Sequence, residues 1–200
     1  MSNNYTQITT VAGKAIYPHI RSTEVYEGED SGKYTCTIQL DEAATEALMK
    51  RIESEWEMAK KTADFDGKRF GRNTNPVLGF TESKDGEIRF KAKTNAVVKT
   101  KAGEIIEKTV PVFDKHNKPL DEEMEIGHGS TIRMCVLLRP FYASSSIYGV
   151  QLLLKGVQVL EYVAPNAVAA SADECGFDAT DEEDATPFAT DSTTEEAADF

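Results

Sequence analysis

Positively charged side chains recur along one stretch of the sequence at a spacing that could bind a polyanion. In residues 87–96, EIRFKAKTNA, the cations Arg89, Lys91 and Lys93 alternate with less polar residues. Alternate residues of a β-strand point to the same face of a sheet, so this pattern predicts a strand with three cations on one face. A row of cations of this kind could contact the phosphate groups of a nucleic acid. A charged solvent face is also common on antiparallel sheets, so both interpretations stand at this stage.

A second cationic segment has the composition of a loop. Residues 62–76, TADFDGKRFGRNTNP, interleave Lys68, Arg69 and Arg72 with Phe65 and Phe70. Glycine and asparagine give the backbone freedom to turn. Cations and aromatic rings together are what a single-stranded nucleic acid requires. The alternative is an ordinary surface loop whose phenylalanines pack into the body of the protein.

Other predicted strands add candidates of both kinds. In residues 131–142, TIRMCVLLRPFY, alternation places Arg133, Arg139 and Phe141 away from the core. Phosphate contacts are therefore predicted for Lys91, Lys93, Arg133, Arg139, Lys68, Arg69 and Arg72. Stacking on bases, which tolerates any sequence, is predicted for Tyr17, Phe141, Tyr142 and Tyr148. Tyr17 and Tyr142 could instead lie at the edge of the core with their hydroxyls hydrogen-bonded.

Catalytic and metal-binding patterns are absent from the sequence. His19, His116 and His128 lie far apart, and the three cysteines form no CxxC pair. No phosphate loop or nucleophile elbow appears, and the one GxG, at residues 127–129, lacks the third glycine of a dinucleotide site. We therefore predict a binding protein with no catalytic residue, metal or cofactor. The scattered cysteines favour a reducing, cytoplasm-like compartment.

Acidic residues are concentrated at the C-terminus. Residues 164–200 hold eleven of the 34 acids and none of the 22 lysines and arginines, so residues 1–163 carry a formal charge of about −1. Such a segment has too little apolar surface to order itself, so we expect a disordered acidic tail. It could simply be a solubilising extension. It could instead mimic a nucleic acid in a cationic groove, or bind a basic partner through Asp199 and Phe200.

The elements that carry these side chains read as a mainly β domain. Alternation predicts strands near residues 8–20, 33–40, 87–96, 109–113, 131–142 and 148–163. One helix is predicted after the second strand, capped by Asp41, with Ala44, Leu48, Ile52 and Trp56 on its apolar face. An OB-like closed antiparallel barrel is the economical arrangement, because closure removes exposed edges. We expect one domain over residues 1–163, no secretory signal and no membrane-spanning segment.

Several segments together resemble the replication single-stranded DNA-binding proteins of short-tailed phages (podoviruses). The resemblance covers residues 12–163. It rests on the order and spacing of KAIYPHI, KYTCTIQL before a long helix, IRFKAKTNA, PVFDKHNKPL, IGHGSTIRM and RPFYASSSIYGVQLLLKGVQVLEYV. The acidic tail with the terminal aromatic residue Phe200 matches the same family independently.

The resemblance implies a homodimeric OB-fold protein that coats single-stranded DNA during phage replication, recombination, repair and strand annealing. It implies that the tail competes for the DNA cleft and contacts the phage DNA polymerase and helicase-primase. The protein would then act in the cytoplasm of the infected host cell. Two other classes stay open: an adaptor whose barrel binds only proteins, and a nuclease with unrecognised carboxylates.

Overall fold

The structure is a computed structural model, which describes residues 5–72, 74–100 and 103–165. The predicted boundary at residue 163 falls at the end of this part. The predicted tail contacts Asp199 and Phe200 lie outside the described residues.

Twelve strands and one α-helix make up the regular structure of the described residues. In chain order they are β1 (Thr6–Thr9), β2 (Gly13–His19), β3 (Val25–Tyr26), β4 (Glu29–Asp30), β5 (Lys33–Gln39), α1 (Glu42–Ala59), β6 (Phe80–Glu82), β7 (Ile88–Asn95), β8 (Val97–Lys99), β9 (Ile105–Glu107), β10 (Val112–Phe113), β11 (Thr131–Ser144) and β12 (Ile147–Glu161). A short 3-10 turn, Ala63–Phe65, follows the helix. The predicted mainly β composition with one helix is confirmed. No helix in the described part combines the length and apolar character that a membrane span needs.

Five of the strands pair in a circuit that returns to its starting point. β2 pairs with β5, β5 with β7, β7 with β12, β12 with β11, and β11 with β2. Four of these pairings are antiparallel, whereas β7 and β12 run parallel. The barrel predicted from the sequence is antiparallel throughout, and the β7–β12 pair differs from it. A two-residue parallel contact leaves no mark on strand periodicity, which explains the difference.

The circuit encloses the core. Cys36, Ile38, Phe90 and Ala92 are fully buried on β5 and β7, and β11 and β12 contribute Ile132, Met134, Val136, Leu138, Val150 and Leu152. The alternation predicted for β5, β7 and β11 is therefore confirmed. Lys33, Lys91, Arg133 and Arg139 are exposed on the opposite faces.

The helix begins where the sequence predicts. The Asp41 side chain accepts a hydrogen bond of 2.7 Å from the Ala44 amide, which satisfies a free donor of the first turn. Ile52 and Trp56 are buried, so the predicted apolar face packs on the core. On its exposed surface the helix carries two ion pairs, Lys50 with Glu46 at 3.0 Å and Lys60 with Glu57 at 2.6 Å.

The segment after the helix packs its phenylalanines inward. The Phe65 and Phe70 rings lie edge-on to Trp56, with centroids 5.5 and 5.6 Å away. Phe70 also meets Tyr148 at 4.9 Å. These contacts hold the segment against α1 and β12. Its cations Lys68, Arg69 and Arg72 are all exposed.

Close backbone contact fixes Val77, the residue directly after this segment, to the tip of the β11–β12 hairpin. The Val77 amide donates to the Tyr148 carbonyl and the Val150 amide to the Val77 carbonyl, both at 2.8 Å. Gly149 has a φ of 143°, and a Cβ there would lie 1.9 Å from the Val77 oxygen. Only glycine permits this approach.

Candidate nucleic-acid interface

An open depression of about 620 Å³ lies on the outer face of β5, β7 and β12, and we call it the sheet trough. Its cationic side chains are Lys33, Lys91 and Lys93. Its apolar side chains include Phe80, Phe141 and Ile147. The trough thus places three ammonium groups beside two aromatic rings.

Strand register explains why these lysines meet. Lys93 lies opposite Thr35, and Lys91 lies opposite Thr37. Because Cys36 and Ile38 point into the core, their neighbours Thr35 and Thr37 point outward. The same alternation turns Lys33 outward at the start of β5.

The trough has an excess of positive charge. Glu24 is the one carboxylate among its described lining residues, and its Oε1 atom lies 2.5 Å from the Lys91 ammonium. In the part of the chain that the structure describes, Lys33 and Lys93 form no ion pair. Loss of hydration, followed by repulsion from Lys33 and Lys91, lowers the pKa of Lys93, and Glu24 opposes this effect. Lys93 is therefore a cation held without a full counter-charge.

Apolar side chains at the edges of the trough remain accessible. Phe80 packs edge-on to buried Phe90, with centroids 5.8 Å apart, yet it still lines the depression. Phe141 is half-buried, and Ile147 at the hairpin tip is 54% exposed. The trough thus offers both ammonium groups and apolar side chains to a planar group that enters it.

A second depression, of about 770 Å³, lies between the end of α1 and β11, and we call it the helix-side cleft. The Lys68 ammonium lies 5.1 Å from the Tyr142 ring centroid, and the Arg139 guanidinium lies 6.0 Å from that of Tyr5. The carboxylates of Glu55 and Asp64 also line this cleft. Phe141 lines both depressions.

Three predicted site residues lie elsewhere or are covered. Tyr148 is only 4% exposed, and its hydroxyl donates to the Thr74 carbonyl at 2.6 Å, so it has no free ring face for a base. Tyr17 is 71% exposed but stacks on His128, with centroids 4.5 Å apart, at a separate depression. Arg133 pairs with Gln158, six positions along β11 from Arg139.

The remaining predicted residues divide between the two depressions. Lys91, Lys93 and Phe141 line the sheet trough, whereas Lys68, Arg139, Phe141 and Tyr142 line the helix-side cleft. Arg69 and Arg72 are exposed nearby in sequence but line neither.

Sequence reasoning missed Lys33, Phe80, Ile147 and Tyr5. The alternation in the sequence turns Lys33 outward on β5. It does not reveal that the register of β5 with β7 brings Lys33 close to Lys91 and Lys93. Phe80 and Ile147 lie in a short strand and at a hairpin tip, where no periodicity marks a binding side chain.

The described residues hold no cluster of histidine, cysteine and carboxylate groups that could bind a metal ion. Burial raises the pKa of the Cys36 thiol to about 12, so that thiol is protonated and unreactive at neutral pH.

Solved structures of phage proteins share this architecture. The gp2.5 single-stranded DNA-binding protein of bacteriophage T7 matches with a TM-score of 0.63 and 18% identity, over 92% of this chain and all of that one. The single-stranded DNA-binding protein of bacteriophage Enc34, solved with single-stranded DNA, matches at 0.56 and 15%, over 80% and 89% of the two chains. The same protein without DNA matches at 0.56 and 13%, over 85% and 89%.

At these identities the likeness establishes a shared fold. The resemblance to phage single-stranded DNA-binding proteins is confirmed at that level. No protein-family model and no curated protein matches the sequence.

Proposed function

We propose that this protein binds single-stranded DNA, without sequence preference, in the sheet trough. The observation that carries the proposal is the meeting of Lys33, Lys91 and Lys93 with the half-buried rings of Phe80 and Phe141, against one carboxylate, Glu24. The shared fold supports it, because the Enc34 protein has been solved in complex with single-stranded DNA.

The closed circuit of five strands is, on this proposal, an OB-type barrel. In barrels of this kind, oligonucleotides bind to the face of strands 2 and 3 and to two loops, one between strands 1 and 2 and one between strands 4 and 5. Counted around the circuit, β5 and β7 are the second and third strands. Glu24 and Ser31 come from the connection between β2 and β5, which contains β3 and β4, and Ile147 comes from the β11–β12 hairpin. The trough occupies the expected binding face.

Binding would combine two physical contributions. The three ammonium groups contact successive phosphates and release condensed counterions, which makes affinity fall with salt. Phe141 and Phe80 stack on bases, and each stacked base contributes roughly 1–3 kcal/mol whatever its identity. Bases paired in a duplex cannot reach these rings, so the protein would prefer single strands. Lys91 would exchange Glu24 for a phosphate.

Residues outside the trough are given different roles. Lys68, Arg139 and Tyr142 belong to the helix-side cleft. Buried Tyr148 is left out of the stacking set. Tyr17 and Arg133 are left out of the trough because the structure places them elsewhere, and Arg69 and Arg72 would contribute long-range attraction only.

The acidic C-terminal segment would act as an internal competitor. Residues 164–200 carry eleven acids and no bases. Tethered to the barrel, they reach an effective concentration in the millimolar range, enough to occupy a cationic trough between DNA encounters. Displaced by DNA, Asp199 and Phe200 would become available to the phage DNA polymerase and helicase-primase.

The cellular setting is proposed on the same basis. A homodimer would coat single-stranded DNA during phage replication, recombination, repair and annealing, in the cytoplasm of the infected host. We propose no enzymatic activity and no cofactor.

The test is a fluorescence-anisotropy titration of a labelled oligothymidylate at several salt concentrations, with the full chain, the chain lacking residues 164–200 and a duplex control. We expect salt-sensitive binding that prefers single strands and tightens without residues 164–200. Absence of binding by both proteins would contradict the proposal and leave a protein-binding adaptor as the alternative. Weaker binding after the deletion would contradict the competitor role, and metal-dependent loss of DNA would reveal a nuclease.

A further inference from the structure

We propose that the helix-side cleft is a second subsite for single-stranded DNA, which continues the path of the nucleic acid beyond the sheet trough. This inference rests on the proposed function. It adds that the binding path leaves the face of β5 and β7 and turns past Phe141 towards the end of α1.

The two depressions adjoin through neighbouring strands. Phe141 lines both of them. Gln151 lines the trough from β12, and its partner across the sheet is Arg139, which lines the cleft from β11. Lys93 lies opposite Leu153 on the other side of β12. From Lys93 to Arg139 the path crosses two strand spacings, from β7 to β12 and from β12 to β11, and shifts by two residues along the strands. The backbones of the two residues therefore lie roughly 12 Å apart.

The cleft repeats the chemistry of the trough. Lys68 and Arg139 each lie over a tyrosine ring, and neither forms an ion pair within the described ranges. A cation over a ring keeps its outward N–H groups free for phosphate, while the ring and the alkyl stem give an apolar wall. Cations and rings in one groove are the features that single-stranded nucleic acids bind.

The cleft also carries two carboxylates, which limit what it can do alone. The Glu55 Oε1 atom accepts a hydrogen bond of 3.1 Å from the Thr6 hydroxyl, and Asp64 is exposed. Lys68 and Arg139 only balance these two charges. The cleft would therefore add affinity to a DNA strand already held in the trough and bind poorly by itself.

Packing holds the segment that carries Lys68 in place. Phe70 contacts Trp56, Tyr142 and Tyr148, and the Tyr142 hydroxyl donates to the Arg69 carbonyl at 3.0 Å. On the other side of Lys68, the Phe65 ring packs edge-on to Trp56. Lys68 therefore projects from a segment anchored on both sides of it. Both interpretations of this segment in the sequence are compatible, since the phenylalanines pack inward while the cations face outward.

The test measures affinity against DNA length. The full-length protein, the K68Q/R139Q variant and a matched K115Q/K118Q control, whose lysines are exposed in a turn away from both depressions, are titrated with oligothymidylates. Lengths from about 4 to about 20 nucleotides bracket the site sizes of OB folds.

We expect K68Q/R139Q to bind the shortest oligonucleotides like the parent and the longest about 25-fold more weakly at 0.1 M salt, if two phosphate contacts are lost. D64K, which adds positive charge to the cleft, should tighten binding of long oligonucleotides only. That gain cannot come from misfolding.

Three results would overturn the second subsite: equal weakening of K68Q/R139Q at every length, no weakening at any length, or no gain from D64K. Failure of the proposed function looks different, because the parent protein would then show no salt-sensitive binding at any length.

Discussion

Replacing Lys33 and Lys93 by glutamine removes two trough cations while keeping their length and polarity. Both side chains line the trough, and in the described part of the structure neither forms an ion pair. The K33Q/K93Q variant therefore loses potential phosphate contacts without leaving an unpaired acid behind. The core is untouched, because the core-packing neighbours of these lysines, Tyr34 and Ala92, are unchanged.

The size of the effect follows from counterion release. Each phosphate contact to single-stranded DNA contributes about 0.7 to the slope of log affinity against log salt, so the slope should become shallower by about 1.4. Over the decade from 0.1 to 1 M salt, a slope of about 0.7 per contact corresponds to about a fivefold change in affinity for each contact. The variant should thus bind about 25-fold more weakly at 0.1 M salt.

The assay is an anisotropy titration with one oligothymidylate at five or so salt concentrations, for the parent, K33Q/K93Q and the K115Q/K118Q control. The control removes the same net charge from a turn outside the trough. It should reproduce the parent slope, which separates contact from general attraction.

An unchanged slope for K33Q/K93Q would refute the reasoning, as would equal loss in the control. E24Q supplies a change of opposite sign, because it releases Lys91 and removes the one described carboxylate of the trough. We expect E24Q to tighten binding about fivefold at 0.1 M salt, through one added phosphate contact. Weaker binding by E24Q would show that Glu24 positions Lys91 productively.

Three further predictions concern stability. K93M should raise the free energy of unfolding at pH 7, because the pKa of Lys93 is lowered in the folded state from its ordinary 10.5 and the unfolded chain therefore binds that proton more tightly. The gain in unfolding free energy should shrink as the pH rises through the folded pKa towards 10.5. A gain that does not change with pH in urea titrations would contradict this prediction. Y148F should lower the unfolding free energy by about 1 kcal/mol in the same assay through loss of the hydrogen bond to Thr74, and an unchanged midpoint would argue against that bond. G149A should cost about 1–3 kcal/mol, because its Cβ would clash with the Val77 carbonyl, and a neutral effect in thermal unfolding would show that the segment moves freely.

Much of the fold was predictable because one face of each main strand is buried. Alternation fixed the inward residues of β5, β7 and β11, and the Asp41 cap marked the start of α1. The first strand was harder. It divides into β1 and β2, and the pairing of β2 with β5 shifts between Ile16 and His19, where Tyr17 has a φ of 41°. A local irregularity of this kind interrupts the period on which the prediction depends.

The site was predictable by residue type and less so by location. The cations of β7 were identified from their spacing, but their partner Lys33 depends on register between strands distant in sequence. Tyr148 looked like a stacking residue because aromatic side chains serve cores and ligands equally well. Its burial follows from the aromatic cluster around Trp56, which requires the segment after the helix to fold back.

The most direct test of where DNA binds is photocrosslinking of an oligonucleotide that carries iododeoxyuridine, followed by mass spectrometry of the linked peptides. We predict crosslinks at Phe80 and Phe141. Unlabelled single strands should compete these crosslinks away, whereas unlabelled duplex DNA should leave them in place. Crosslinks confined to Tyr17 and His128, with none in the sheet trough, would contradict the account.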